Sequence, residues 1–125
     1  MTDYLRIRLE LLATTAGGRS SSASLKPEAD ARYLPHFRVG QAGEYLGVAF
    51  VDGSPQTLAP GQSGEATVAL IYGDTGVDYS ALLPGVTFNL MEGNTVVGSG
   101  TVLQRWQEDS DWRSRPGGNV GGVKG

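Results

Sequence analysis

Cysteine is absent from the sequence, and histidine occurs once, at His36. Without thiols the chain has no disulfide framework, no thiolate nucleophile and no cysteine ligand for zinc. A single histidine also excludes a metal site built from several imidazoles. We therefore predict a protein with no metal site and no cofactor.

Positive charge and long apolar runs are also scarce. Ten lysines and arginines face 13 aspartates and glutamates, for a net charge of −3, so no overall positive field draws the protein to phosphate backbones or anionic lipids. No stretch approaches the roughly 20 apolar residues that span a bilayer, and the N-terminus lacks the basic start and apolar run of a signal peptide. These absences predict a soluble, cytoplasmic protein without a membrane partner.

Motifs for nucleotide chemistry and catalysis are missing as well. Gly17-Gly18-Arg19 has neither the spacing nor the terminal lysine of a phosphate-binding loop, so we expect no bound nucleotide. His36 is the one side chain that titrates near neutral pH without perturbation, but the sequence offers it no recognisable nucleophile. We favour a protein that is not an enzyme over catalysis through His36.

Turn-forming residues are abundant. The chain has 125 residues, 39% of them hydrophobic, which suffices for one domain with one core. The 19 glycines and six prolines make up one fifth of the chain, and this punctuation suits short strands joined by turns. The composition predicts a single all-β domain.

Period-two hydrophobic patterns predict about six strands. From Leu5 to Leu11, apolar residues alternate with charged ones, which places one face inward and the other in water. Further strands are predicted at 32–39, 44–52, 66–72, 86–92 and 96–106, the last two as a hairpin over Gly93-Asn94. Residues 13–28, rich in serine and glycine, are predicted to form a long loop. The pattern is typical of a small barrel or sandwich.

The composition changes at Gln107. The remaining residues are rich in acidic side chains and glycine, and they contain too few large apolar groups to offset the entropy lost on ordering. We therefore predict a barrel over 1–106 and a disordered, flexible tail over 107–125.

Arginine and aromatic residues supply the candidate binding residues. Arg32, Tyr33, Phe37 and Arg38 interleave charge with aromatic rings, as in proteins that bind single-stranded nucleic acid, although an ordinary half-buried strand shows the same alternation. An exposed tryptophan after the last strand would suit contact with a protein partner. The predicted binding residues are Arg19, Arg32, Tyr33, His36, Arg38 and Trp112.

A series of motifs resembles a known domain in order and approximate spacing. The motifs are Gly17-Gly18-Arg19, Tyr33-Leu34-Pro35-His36-Phe37, Leu58-Ala59-Pro60-Gly61, Gly85-Val86-Thr87-Phe88 through Glu92-Gly93, and Val97-Gly98-Ser99-Gly100. Over Tyr4 to Trp106 the chain resembles the C-terminal β-barrel domain of translation elongation factor Tu. The block from Gly85 to Gly100 is the most specific, because its glycine, phenylalanine, Glu-Gly turn and Val-Gly-small-Gly strand seldom occur together.

The resemblance implies a six-stranded antiparallel barrel. In the family this barrel follows a GTPase domain and a second barrel, and it contacts the T-stem side of aminoacyl-tRNA and the nucleotide exchange factor. This chain corresponds to the barrel alone, so GTP-driven delivery of tRNA is not implied. It also has Ser20-Ser21-Ser22-Ala23 in place of a His-Thr-Pro-Phe segment, and Asn94-Thr95 where an arginine is expected, which removes groups that a T-stem site would use.

These expectations lead to two candidate functions. The first is a stand-alone, non-enzymatic protein-binding module, either linked to translation or acting as a decoy or immunity-like factor towards proteins, such as toxins, that recognise elongation factor Tu. The alternative is an accessory tRNA-binding barrel that uses Arg19, Arg32, Tyr33 and Arg38 as a local basic patch. Capture of a protein partner or of tRNA distinguishes the two.

Overall fold

The computed structural model describes residues 1–27 and 32–113. In these ranges the strands are β1 (Thr2–Leu11), β2 (Ala23–Ser24), β3 (His36–Arg38), β4 (Leu46–Ser54), β5 (Thr57–Leu58), β6 (Ser63–Leu70), β7 (Thr87–Glu92) and β8 (Thr95–Glu108), with short 3-10 helices at Thr14–Ala16 and Gly73–Thr75. Within the same ranges, no helix combines the length and apolar character that a membrane crossing requires.

Six of these strands close into an antiparallel barrel in the order β1-β6-β4-β3-β7-β8. The closure is made by β8, which pairs with β1 from Thr2 opposite Glu108 to Leu11 opposite Gly98. The short strands β2 and β5 form a separate two-stranded sheet. The prediction of an all-β, six-stranded antiparallel barrel is confirmed, together with the hairpin of β7 and β8.

Alternate residues of each strand fill the barrel interior. On β1 the leucines and Ile7 are buried while Arg8 is exposed, as a period of two requires. Three aromatic rings from different strands meet in the core: Phe37 stacks on Phe88 with ring centroids 3.9 Å apart and meets Phe50 edge-on at 6.4 Å. The core therefore ties β3 to both of its neighbours.

Two glycines allow β8 to approach the neighbouring strands closely. A Cβ at Gly100 would lie 2.4 Å from the carbonyl oxygen of Arg8 and 2.6 Å from the ring of Phe88. A Cβ at Gly98 would lie 2.6 Å from the carbonyl oxygen of Glu10. All three distances are too short for a real Cβ atom, so both positions require glycine for close packing.

The segment predicted as a long loop over 13–28 is partly ordered into the fold. Ala23 and Ser24 form β2 and pair with β5, and both Ala23 and Leu25 are buried. Leu25 packs against Gly53 on β4, where an added Cβ would lie 2.4 Å from the Leu25 Cβ. These apolar side chains join the barrel core, which explains why a serine-rich segment is fixed.

The last strand extends past its predicted end at residue 106. β8 continues through Glu108, and Gln107 Nε2 donates a hydrogen bond to Asp3 Oδ1 over 2.7 Å. Beyond it, Trp112 packs on a buried cluster on the outside of the barrel that consists of Tyr4, Val51 and Ala69. Residues 107–113 therefore belong with the barrel, and the rest of the predicted tail, 114–125, lies outside the described residues.

Candidate functional site

The six predicted binding residues make three separate sets of contacts. They are grouped as Arg19 with Tyr33, His36 with Arg38, and Arg32 with Trp112. Each pair has different neighbours, so the arginines expected in one basic patch do not share a contact partner in the described ranges.

Arg19 and Tyr33 share one carboxylate. The guanidinium of Arg19 forms an ion pair with Oε2 of Glu92, and the Tyr33 hydroxyl donates a hydrogen bond to the same oxygen. The Arg19 guanidinium also lies 5.3 Å from the centre of the Tyr33 ring, and its Nε donates to the Ser21 carbonyl oxygen over 3.0 Å. Arg19 is thus neutralised and holds its loop against the barrel.

The titration of this cluster reflects its burial and the Glu92 carboxylate. Burial raises the pKa of Tyr33, and the hydrogen bond to Glu92 raises it further. Burial acts to lower the pKa of Arg19, but its hydrogen bond to Glu92 and the charge of that carboxylate outweigh burial and raise the pKa overall. Tyr33 therefore remains a neutral donor and Arg19 a paired cation, which suits a structural role.

His36 and Arg38 project from the outer face of β3 and contact Tyr45. Phe37, between them, is buried in the core, so its two neighbours point outward. The Arg38 guanidinium lies 5.1 Å from the centre of the Tyr45 ring, and the His36 ring lies 6.0 Å from it. Arg38 Nε donates a hydrogen bond to the Gly43 carbonyl oxygen over 2.9 Å. The hydrogen bond and the ring together fix the position of the guanidinium.

The same side of the barrel exposes two large hydrophobic side chains. Leu34, two residues before His36, is 52% exposed, and Tyr72 is 44% exposed. Tyr72 packs directly on Gly47, the cross-strand partner of His36, since a Cβ there would lie 2.4 Å from Tyr72 Cε2. We define the β3–β4 face as the outward surface made by Leu34, His36, Arg38, Tyr45 and Tyr72.

Arg32 and Trp112 make an intramolecular contact. The Arg32 guanidinium lies 5.2 Å from the centre of the Trp112 ring, and its Nη1 donates to the Trp112 carbonyl oxygen over 3.4 Å. Arg113 lies 4.5 Å from the same ring centre. The tryptophan expected to meet a partner is half-buried in contacts that hold the C-terminal segment to the barrel.

Most arginines in the described ranges are paired with carboxylates. Five of the seven form ion pairs at distances up to 3.8 Å, namely Arg6 and Arg8 with Glu65, Arg19 with Glu92, Arg105 with Asp3, and Arg113 with Asp111. Arg32 and Arg38 have no such carboxylate partner among the described residues. In the described ranges this pairing leaves fewer arginines without a carboxylate neighbour to contact phosphate groups.

Four residues of these clusters are not among the binding residues predicted from the sequence: Leu34, Tyr45, Tyr72 and Glu92. Tyr45 carried a usable signal, because it and Arg38 flank a turn that contains Gly40 and Gly43, and a hairpin brings flanking residues together. Glu92 gave no comparable signal, since its partner Arg19 lies 73 residues away in the sequence.

Acidic side chains line a broad cleft where the ends of β1 and β8 meet the segment after β6. The cleft contains Asp3, Asp74, Asp78, Asp109 and Asp111. Arg105 also lines this cleft. It forms an ion pair with Asp3 over 2.8 Å and donates hydrogen bonds to the carbonyl oxygens of Tyr79 and Leu82. In the described ranges, no group of three or more histidine, aspartate or glutamate side chains is placed to hold a metal ion.

No protein-family model matches the chain, and no curated protein is significantly similar to it. The resemblance to the elongation factor Tu barrel therefore stays a prediction from the sequence motifs.

Proposed function

We propose that this protein is a non-enzymatic protein-binding module that contacts its partner through the β3–β4 face. The observation that carries the proposal is the Arg38 guanidinium held on the Tyr45 ring beside His36, on a face that also exposes Leu34 and Tyr72. Arginine and tyrosine are enriched at the centres of protein interfaces. The two exposed hydrophobic side chains add apolar area for a partner to bury.

The resemblance to the C-terminal barrel of elongation factor Tu narrows the class of partner. A closed six-stranded barrel is the architecture that this resemblance implies. The partner would then be a translation component, or a protein such as a toxin that recognises elongation factor Tu. In the second case the chain acts as a decoy or immunity-like factor. The proposal assumes a cytoplasmic location.

The contacts of the described arginines favour protein binding over tRNA binding. Of the residues expected in a basic patch, Arg19 is neutralised by Glu92, and Arg32 lies against Trp112. Phosphate contacts supply much of the affinity of nucleic-acid binding proteins, and Arg38 alone offers little of this. Protein binding is therefore the better-supported function, and tRNA becomes an outcome of the test.

Affinity capture from a cytoplasmic extract, with and without nuclease, tests the proposal. The baits are the full chain, the double variant Arg38→Ala with Tyr45→Ala, and Arg8→Ala. Arg8 is a matched control because it is an exposed arginine on β1, which lies opposite β3 in the barrel order. We expect a nuclease-resistant protein that the wild-type and Arg8→Ala chains retain and the double variant loses. Equal capture by all three baits, or nuclease-sensitive capture of tRNA, would contradict the proposal.

A further inference from the structure

We infer that Arg38 is a receptor for a carboxylate: the protein partner seats an aspartate or glutamate side chain on the free end of its guanidinium. This inference rests on the proposed function and specifies the chemistry of the partner at the β3–β4 face. It predicts an acidic residue on the partner with a large apolar residue close by in the same segment.

The guanidinium of Arg38 has one occupied nitrogen and two available ones. Nε donates to the Gly43 carbonyl oxygen over 2.9 Å. In the described part of the chain, no acceptor is hydrogen-bonded to Nη1 or Nη2 of this residue. A planar guanidinium binds a carboxylate through two parallel N–H···O bonds, and among residues 1–27 and 32–113 nothing occupies the Nη1/Nη2 pair that would make them.

The free end is also held in place before any partner arrives. The hydrogen bond to Gly43 fixes one edge of the guanidinium, and the Tyr45 ring supports its plane at 5.1 Å. The Tyr45 hydroxyl in turn donates to Asn94 Oδ1 over 3.4 Å, which links the ring to the β7–β8 turn. Binding therefore immobilises less side-chain freedom than it would for an unsupported arginine.

Comparison with the other arginines singles out Arg38. Five of the seven described arginines already have a carboxylate partner. Arg32 donates through Nη1 to the Trp112 carbonyl oxygen, whereas Arg38 donates through Nε and keeps both Nη atoms for a bidentate contact. Arg19 shows how a carboxylate binds such a guanidinium, because it forms an ion pair with Glu92. For Arg38, the corresponding carboxylate belongs to the protein partner.

The surroundings of Arg38 favour a protein carboxylate over a phosphate chain. His36 and Tyr45 adjoin it, and the rest of the face presents the exposed side chains of Leu34 and Tyr72. A polyphosphate backbone needs a track of unpaired cations, whereas this face offers one supported guanidinium beside apolar area. An acidic residue flanked by a large apolar residue matches both parts of the face.

Selection from a phage-displayed library of random 12-residue peptides tests the inference without knowledge of the natural partner. The library is selected on immobilised full-length chain and, in parallel, on Arg38→Ala, Tyr45→Ala and Arg8→Ala. We expect peptides selected on the wild-type and Arg8→Ala chains to be enriched in an aspartate or glutamate next to a large apolar residue. Arg38→Ala should lose this enrichment.

The affinity of the most enriched peptide for each chain is then measured by fluorescence polarisation, which tests the contact between its carboxylate and Arg38 directly. We expect Arg38→Ala to weaken its binding at least tenfold, and replacement of the peptide's acid by its amide to weaken binding similarly. The two changes together should cost no more than either alone, because they remove one shared interaction. Arg38→Lys should also weaken binding, since lysine keeps the positive charge but cannot donate the two parallel hydrogen bonds of a guanidinium.

The outcomes separate this inference from the function on which it rests. Peptides that depend on Tyr45 but carry no acidic residue would overturn the carboxylate receptor and leave protein binding at the face standing. Failure of the wild-type chain to enrich acidic peptides overturns the inference by itself. Loss of both peptide selection and face-dependent capture would overturn the function as well. Should Arg38→Ala fail to fold, as judged by a thermal melt, the amide-for-acid peptide on the wild-type chain decides.

Discussion

The Tyr33 hydroxyl donates a hydrogen bond to Oε2 of Glu92, the residue that ends β7. The same oxygen takes the ion pair of Arg19, so one carboxylate joins the loop after β1, the segment before β3 and the end of β7. The Tyr33 ring packs on Phe50 with centroids 5.1 Å apart, which shelters this junction. Glu92 thereby helps to position the chain that leads into the β3–β4 face.

Replacing Glu92 by glutamine should lower the free energy of unfolding by about 1–3 kcal/mol, because hydrogen bonds to an ionised acceptor are the stronger ones. Urea unfolding at neutral pH measures the loss. Glu65→Gln is the matched control, since its contacts with Arg6 and Arg8 are longer, at 3.5 and 3.8 Å, and lie on the surface; we expect it to cost less than about 1 kcal/mol. Equal losses in the two variants would contradict the role given to Glu92.

The stability supplied by Tyr33 should depend on pH above its ordinary titration range. Burial, followed by the hydrogen bond to Glu92, raises the pKa of Tyr33 above the usual 10.0, so folding favours the neutral phenol. The stability that neutral Tyr33 adds is complete below pH 10, and it declines as the pH rises through the pKa of Tyr33 in the folded state. The stability gap between wild type and Tyr33→Phe should therefore narrow above pH 10. Urea midpoints at about pH 8 and about pH 11 measure it, and a constant gap would count against the assignment.

Hydrophobic alternation predicts a strand where one side faces the core and the other faces water, whereas β4 buries six consecutive residues. β1 shows the alternation most clearly, with Leu5, Ile7 and Leu9 buried and Arg8 exposed. β3 is shorter than the predicted 32–39 because Pro35 has no N–H to donate. Its carbonyl oxygen still accepts a hydrogen bond from Val48, so the pairing with β4 continues on one side only.

The sequence supplied candidate arginine and aromatic residues but did not show which of them contact each other in the fold. Arg38 and Tyr45 are joined by a short turn, so their contact is local and could have been foreseen. Arg19 and Glu92 come together because the loop after β1 folds back to the end of β7, which no local pattern encodes. Trp112 was predicted to contact a partner, and only the three-dimensional fold reveals the apolar cluster on which it packs.

Closure of the barrel should be sensitive to the size of residue 100. Gly100→Ala would place a Cβ 2.4 Å from the Arg8 carbonyl oxygen and 2.6 Å from the Phe88 ring, and the backbone oxygen cannot move without disturbing the β1–β8 ladder. We expect a loss of about 1–3 kcal/mol in the free energy of unfolding. Gly73→Ala is the control, since nothing lies within 4 Å of its Cβ position. A thermal melt that ranks Gly73→Ala as the worse variant would refute this account of β8.

The boundary of the folded unit can be tested by shortening the chain. A chain of residues 1–106 loses the Gln107 hydrogen bond to Asp3 and uncovers the outer cluster on which Trp112 packs. The shorter chain also loses the end of the β1–β8 ladder and the hydrogen bonds of Thr2 and Tyr4 with Ser110. It should therefore be less stable than a chain of residues 1–113 by at least about 1–3 kcal/mol, the scale of one hydrogen bond and a partly buried aromatic side chain. Urea unfolding of the two chains measures the difference.

Trp112→Ala in the 1–113 chain separates the share of the tryptophan from that of the strand. If the ring supplies most of the stability, this variant should fall close to the 1–106 chain and show greater binding of a hydrophobic dye, because Tyr4 and Val51 become accessible. If the end of β8 supplies most of the stability that residues 107–113 add, the unfolding midpoint of Trp112→Ala should stay close to that of the parent 1–113 chain. Identical unfolding midpoints for the 1–106 and 1–113 chains would instead mean that residues 107–113 are not part of the cooperative unit. The folded domain would then end at Trp106.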